Sequence, residues 1–139
     1  MTRRSAIVAA TAWALVGAAL PAAAHHSFSA EFDVDHPVKL EGTVTKVELI
    51  NPHSWIHIDV QDADGNTVSW MIEGGSPNAL FKHGVTRNTI PVGSQLVIDG
   101  YQARDGSHRA VGRDISFADG RPLFFASSKP DAKPSADEK

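Results

Sequence analysis

The chain has 139 residues, a formal net charge of −3 and no cysteine. That length suits one small domain with a single modest core. The lack of cysteine excludes disulfide staples, thiolate metal sites and thiol catalysis, and an acidic balance without a basic stripe argues against nucleic acid or an anionic membrane surface as partner.

The N-terminus reads as a secretory leader. Arg3 and Arg4 give a positive start, "AIVAATAWALVGAAL" an apolar run, and Ala22, Ala23 and Ala24 the small residues of a cleavage site. The run is shorter and richer in alanine than a membrane span, which wants about 20 strongly apolar residues. With no cysteine after it, a lipid-anchored lipoprotein is excluded. The paired arginines do not by themselves choose between the general and twin-arginine export routes. Cleavage after Ala24 leaves alanine at both specificity positions, whereas cleavage after Ala23 would put Pro21 at one of them. The expected organisation is therefore a leader over 1–24, a domain over 25–126 and a tail over 127–139. The tail is rich in proline, serine and charge and is expected to be disordered. The expected location is periplasmic or secreted, with no membrane anchor once the leader is gone.

The body reads as strands. "VKLEGTVTKVELI" (38–50) alternates at Val38, Leu40, Gly42 and Val44, then slips phase to Val47 and Leu49. A slip with a glycine inside predicts a long, bent or bulged strand. "SWIHIDV" (54–60) and "TVSWMIE" (67–73) alternate around an Asp64-Gly65 turn and predict a hairpin. In "GGSPNALFKHG", Ser76 suits an N-cap, Pro77 the first helical position and Gly84 the stop, which predicts one short helix near 77–83. "SQLVIDGYQA" (94–103) and "HRAVGRDISFA" (108–118) follow as strands, then a short run "RPLFF". Three strands, a helix and two strands is the order of a mainly β, OB-like, five- to six-stranded Greek-key barrel. An open β-sandwich with a helical insertion is the alternative. The expected core comprises Leu40, Val44, Ile56, Ile58, Val60, Val68, Trp70, Ile72, Leu96, Ile98 and Ile115.

The stretches "HHSFSAEFD", "GTVTKVELINPHSWIHIDV", "EGGSPNAL" and "VGSQLVIDGYQARDGS" together resemble a family of small secreted bacterial proteins catalogued as a domain of unknown function. The resemblance runs to about Phe125. It implies an OB-like fold and a periplasmic location, and it carries no catalytic residues across.

Three histidines suggest chemistry. If His25 opens the mature chain, its α-amine and imidazole can chelate one ion, and a second imidazole would complete a three-nitrogen brace. Such nitrogen donors in tetragonal geometry favour Cu(II), and both donor types shed protons near neutrality. The second imidazole could come from His26, or from His53 in "NPHSW", where Asn51-Pro52 marks a turn at the rim of the sheet. Against this, two polar residues also space a flexible terminus, and a loop histidine also serves as a structural hydrogen-bonding group. His53 and His57 lie roughly 13 Å apart along one strand face, so one ion takes only one of them.

Trp55, His57, Met71 and Glu73 are expected on the non-core face of the hairpin. They form either a ligand or partner face, or a surface covered by Phe28 and Phe32 of the N-terminal segment. His36, His83 and His108 are expected to be solvated. Ser54 lacks a nucleophile-elbow pattern, "GGSPN" lacks a phosphate-loop lysine, and no acid–base pair stands out, so an enzyme is not expected. The reading is a monomeric periplasmic binding protein that takes Cu(II) through His25 with His26 or His53. The rivals are a non-catalytic protein or peptide interaction module and a small-molecule carrier.

Overall fold

The computed structural model describes residues 28–125. The leader, its cleavage point, His25, His26 and the tail from 127 fall outside the described residues. After a helical turn over 28–31 the elements are β1 (Phe32–Glu48), β2 (Trp55–Gln61), β3 (Thr67–Glu73), α1 (Pro77–Lys82), β4 (Gln95–Ala103) and β5 (Arg109–Phe117). The strands pair in the order β1-β2-β3-β5-β4 and back to β1, so a five-stranded sheet closes in a ring. Every ladder is antiparallel except β3–β5, which is parallel. The short helix between β3 and β4 stands where the sequence placed it, and the closed ring replaces the open-sandwich alternative.

β1 is longer than its alternation suggested. It starts at Phe32 rather than Val38 because its first half pairs with β4, from Phe32 opposite Ala103 to Thr43 opposite Gln95. Its second half pairs with β2, from Gly42 opposite Val60 to Glu48 opposite Trp55. Gly42 and Thr43 belong to both ladders. A Cβ on Gly42 would lie 2.8 Å from the Asp59 carbonyl oxygen, so the bend sits where only glycine fits. The register shifts between Val44 and Lys46. Thr45 is the extra residue of a bulge, and this is the physical origin of the phase slip in the sequence.

Of the expected core, Leu40, Val44, Ile56, Ile58, Ile72, Leu96, Ile98 and Ile115 are buried. Val60 and Trp70 are only partly buried against that core, and Val68 is half-buried. The reason lies in the closure of the ring. β5 meets β3 only from Met71 to Glu73, so the turn end of β3 projects past that strand. The rest of the core comes from outside the strands: Leu80 of α1, Val85 and Ile90 of the connector, and Leu123 and Phe125 of the last run. α1 is held by the Ser76 hydroxyl accepting from the Ala79 N–H at 3.3 Å, with Pro77 beginning the helix. The last run is stitched on by two backbone bonds. Leu123 N–H donates to the Ile115 carbonyl at 2.8 Å, and Gly75 N–H donates to the Phe125 carbonyl at 3.0 Å. Among the described residues, no helix is long and apolar enough to cross a membrane.

Candidate functional site

β2 turns Ile56 and Ile58 inward, and so turns Trp55, His57 and Asp59 outward. The hairpin register sets Trp55 opposite Glu73 and His57 opposite Met71. The four residues therefore share one face, as their spacing implies. That face is partly covered rather than open. Trp55, His57 and Met71 are half-buried and Glu73 is only 4 % exposed. Glu73 sits where the ring closes, with Trp55 on one flank and Val111 of β5 on the other, so neighbours stand on both sides of it.

The partner of Glu73 is His53. Its Nδ1 meets a carboxylate oxygen of Glu73, while the ring keeps an exposed edge, 44 % against 5 % for the acid. The loop that carries His53 contains a cis Asn51–Pro52 bond. It is tied to the segment after β3 by two bonds: Ser54 N–H donates to the Gly75 carbonyl, and Gly74 N–H to the Ser54 carbonyl, both at 2.9 Å. These bonds extend the hairpin ladder past the ends of β2 and β3, and they bring "NPHSW" against "EGGSPN". Gly74 is a steric necessity, since a Cβ there would fall 2.3 Å from the Phe125 ring. Ser54 is fully buried, and its hydroxyl has no hydrogen-bond partner among the described residues.

Burial pushes the Glu73 carboxyl above its ordinary range. The His53 charge opposes the rise, Glu31 adds to it, and Arg109 opposes it weakly. Glu31 and Arg109 form their own pair, with Arg109 Nη1 donating to Glu31 Oε1 at 2.9 Å. Arg109 stands next in register to Met71, so this pair borders the His53–Glu73 pair. Neither Glu31 nor Arg109 stood out in the sequence. They are 78 positions apart, and nothing local marks them.

His57 is engaged elsewhere. Its Nε2 meets Glu48 Oε2 at 2.7 Å, and Lys46 Nζ meets the other oxygen of that acid at 2.6 Å. Lys46 first, and His57 second, hold the Glu48 carboxyl below its ordinary value. Each histidine thus has one ring nitrogen held by a carboxylate, and His53 is the more exposed of the two, 44 % against 23 %.

The N-terminal segment covers a neighbouring surface rather than Trp55 and Met71. Phe32 is buried with Ala103 and Val111, and Phe28 and Tyr101 pack against that cluster. The cause is the pairing of Phe32 with Ala103, which draws the segment over β4 and β5. Two histidines expected to be solvated also find ring partners. His83 stacks on Phe124 at 3.8 Å, and His108 lies 5.0 Å from Trp70. His36 meets Asp33 at 2.9 Å on the surface. Among the described residues, no group of three or more histidines and carboxylates is placed to hold a metal ion. Of the three ligands expected for copper, His53 alone is among the described residues. A groove of about 600 Å³, lined in part by Val97, Ile115 and Phe124, lies on a different part of the surface.

The fold is thus a small β-ring whose buried carboxylate fixes a rim histidine. Residues 12–112 match a family of unknown function, DUF6152, and the chain belongs to that family. No curated protein matches the chain.

Proposed function

We propose that the mature chain is a periplasmic, non-catalytic binding protein of the OB type that takes Cu(II) through His25 and His53. The strand order, the helix between β3 and β4, and a first strand shared by both halves of the ring support the OB assignment. The leader pattern supports secretion and a free amine at His25.

The observation that carries the metal reading is the His53–Glu73 pair. Histidines that ligate metals hand their other ring N–H to a carboxylate, which fixes tautomer and orientation. Glu73 takes Nδ1 and leaves Nε2 on the exposed edge of the ring. The amine and imidazole of His25 would supply the other two nitrogens, and His26 would replace His53 if the terminus acts alone. Nitrogen donors of this kind suit Cu(II). The rival reading, a protein or peptide interaction module using Trp55 and Met71, is weakened because both side chains are half-buried.

The test starts from protein secreted by a bacterial host, whose intact mass should correspond to residues 25–139. Cu(II) titration in competition with a chelator should then show binding tighter than that of a free "HHSF" peptide. One extra N-terminal residue, or His53→Ala, should weaken it, and affinity should fall below about pH 6, where imidazole nitrogens bind protons. Binding no tighter than the peptide's would overturn the proposal and leave the interaction module in its place.

A further inference from the structure

We infer that the groove between the last run and β5 binds a small organic cation, an amine with an apolar body, and that Asp99 meets its charge. The site is independent of the copper reading, since its lining includes neither His53 nor Glu73.

The groove follows from how the chain ends its ring. The last run first pairs with β5: Phe117 N–H donates to the Arg121 carbonyl at 2.9 Å, and Leu123 N–H to the Ile115 carbonyl at 2.8 Å. The run then leaves β5, because the Phe125 carbonyl is taken by the Gly75 N–H ahead of α1. A groove of about 600 Å³ is lined by residues of both, with Val97, Ile115, Leu123, Phe124 and Phe125 as apolar walls and Ala79 of α1 beside them. Small-molecule sites span about 300–1,000 Å³. One wall is set in advance. Phe124 is 42 % exposed, yet its ring is held by His83, stacked on it at 3.8 Å.

Charge selects the occupant. Asp99 and Asp114 both line the groove and stand directly opposite each other in the β4–β5 register. Like charges so placed repel. Asp114 is relieved by Arg113, whose Nε donates to its Oδ2 at 2.8 Å. Asp99 is half-buried and, among the described residues, has no hydrogen-bond or ion-pair partner. Lys39 stands opposite it in the β1–β4 register but makes no ion pair with it. A partly desolvated carboxylate without a partner is destabilising, and an ammonium group laid against Asp99 would remove that penalty. The aromatic walls favour the same ligand, since ring faces attract cations. An anion would instead add a third negative charge beside the two acids.

The probe is dansylcadaverine, an aromatic body with a terminal ammonium. Dansyl-aminocaproate, with a carboxylate in place of the amine, is its control. Fluorescence titration of the metal-free protein should show saturable binding of the amine and much weaker binding of the acid. Asp99→Asn should weaken the amine about 10-fold, near the lower end of what a hydrogen bond to a charged group contributes. Ala79→Trp, at an exposed position of the lining, should block the groove. Glu41→Gln, at an exposed acid outside the groove, should leave binding unchanged. A thermal melt checks the folding of each variant. No saturable binding, equal affinity for the two probes, or no loss from Asp99→Asn would overturn the proposal. So would a loss from Glu41→Gln as large as that from Asp99→Asn, because net charge rather than the groove would then attract the amine.

Discussion

Alanine at Gly74 would place a methyl group inside the Phe125 ring. Built on the existing backbone, its Cβ falls 2.3 Å from two ring carbons and 2.4 Å from the Phe125 carbonyl oxygen, where separations under 3.0 Å do not occur. The ring is packed in the core. Phe125 is 1 % exposed, and its carbonyl is held by the Gly75 N–H. Gly74 itself is fixed through its N–H to Ser54. Its φ is not among the positive values, so the penalty is steric rather than conformational. Overpacking of this kind costs about 1–3 kcal/mol, and full expulsion of the ring would cost about 3–5 kcal/mol. Gly74→Ala should therefore lose about 2–4 kcal/mol, seen as a urea midpoint lowered by roughly 1–2 M. Phe125→Leu should relieve the clash with the ring, though not that with the carbonyl oxygen, so the double variant should lose less than the two single losses added together, by about 1–3 kcal/mol. Strict additivity, or a loss below about 0.5 kcal/mol for Gly74→Ala, would show that the last run does not sit against Gly74 as described.

Two further outcomes test the core and the site. Ile58→Ala, at a residue with no exposure, should cost about 2–5 kcal/mol in the same urea assay, whereas Val68→Ala on the projecting turn end should cost below about 1 kcal/mol; the reverse ranking would mean that the hairpin faces the other way. For metal-free protein, wild type should lose stability relative to Glu73→Gln as pH rises. The folded-state pKa of Glu73 is raised above 4.5, so its stabilising contribution is complete below that value and lost as pH passes through the raised one. The lowered acids Asp33, Glu48, Asp62, Asp105 and Asp119 act in the opposite direction, but both chains share them and they cancel. A difference that grows in favour of wild type with pH would mean that the His53 pair outweighs burial.

The hairpin and the helix were legible because their signals are local. Period-two alternation around Asp64-Gly65 fixes a register, and Ser76-Pro77 with Gly84 brackets one helix. The phase slip in β1 also carried true information, since a bulge shifts alternation by one residue. The start of β1 was illegible because Asp33, Asp35 and His36 show no apolar alternation; only β4, far along the chain, makes that stretch a strand. Leu80, Ile90, Leu123 and Phe125 escaped notice because they fill the core from a helix of under two turns and from irregular chain, where no period betrays burial. At the site, alternation placed Glu73 outward, which is correct, but it cannot say that Val111 closes over the next position. The pairing with His53 needs that closure, and so burial of an acid on an outward face had no sequence signal.

The route by which the ring closes bears on how the chain reaches its folded state. β1, β2 and β3 form a local meander, yet β1 and β3 each keep a ladder waiting for strands that come much later: Ala103 for Phe32, and Arg109 for Met71. Contacts of such long sequence separation slow folding. With no cysteine in the chain, no covalent link can hold an early intermediate together. During synthesis the meander exists for a time with two unsatisfied edges, each able to pair with a neighbouring chain. Asp33, Asp35 and His36 near one of those edges, polar where alternation would have put apolar residues, make the waiting strand a poor template for that error.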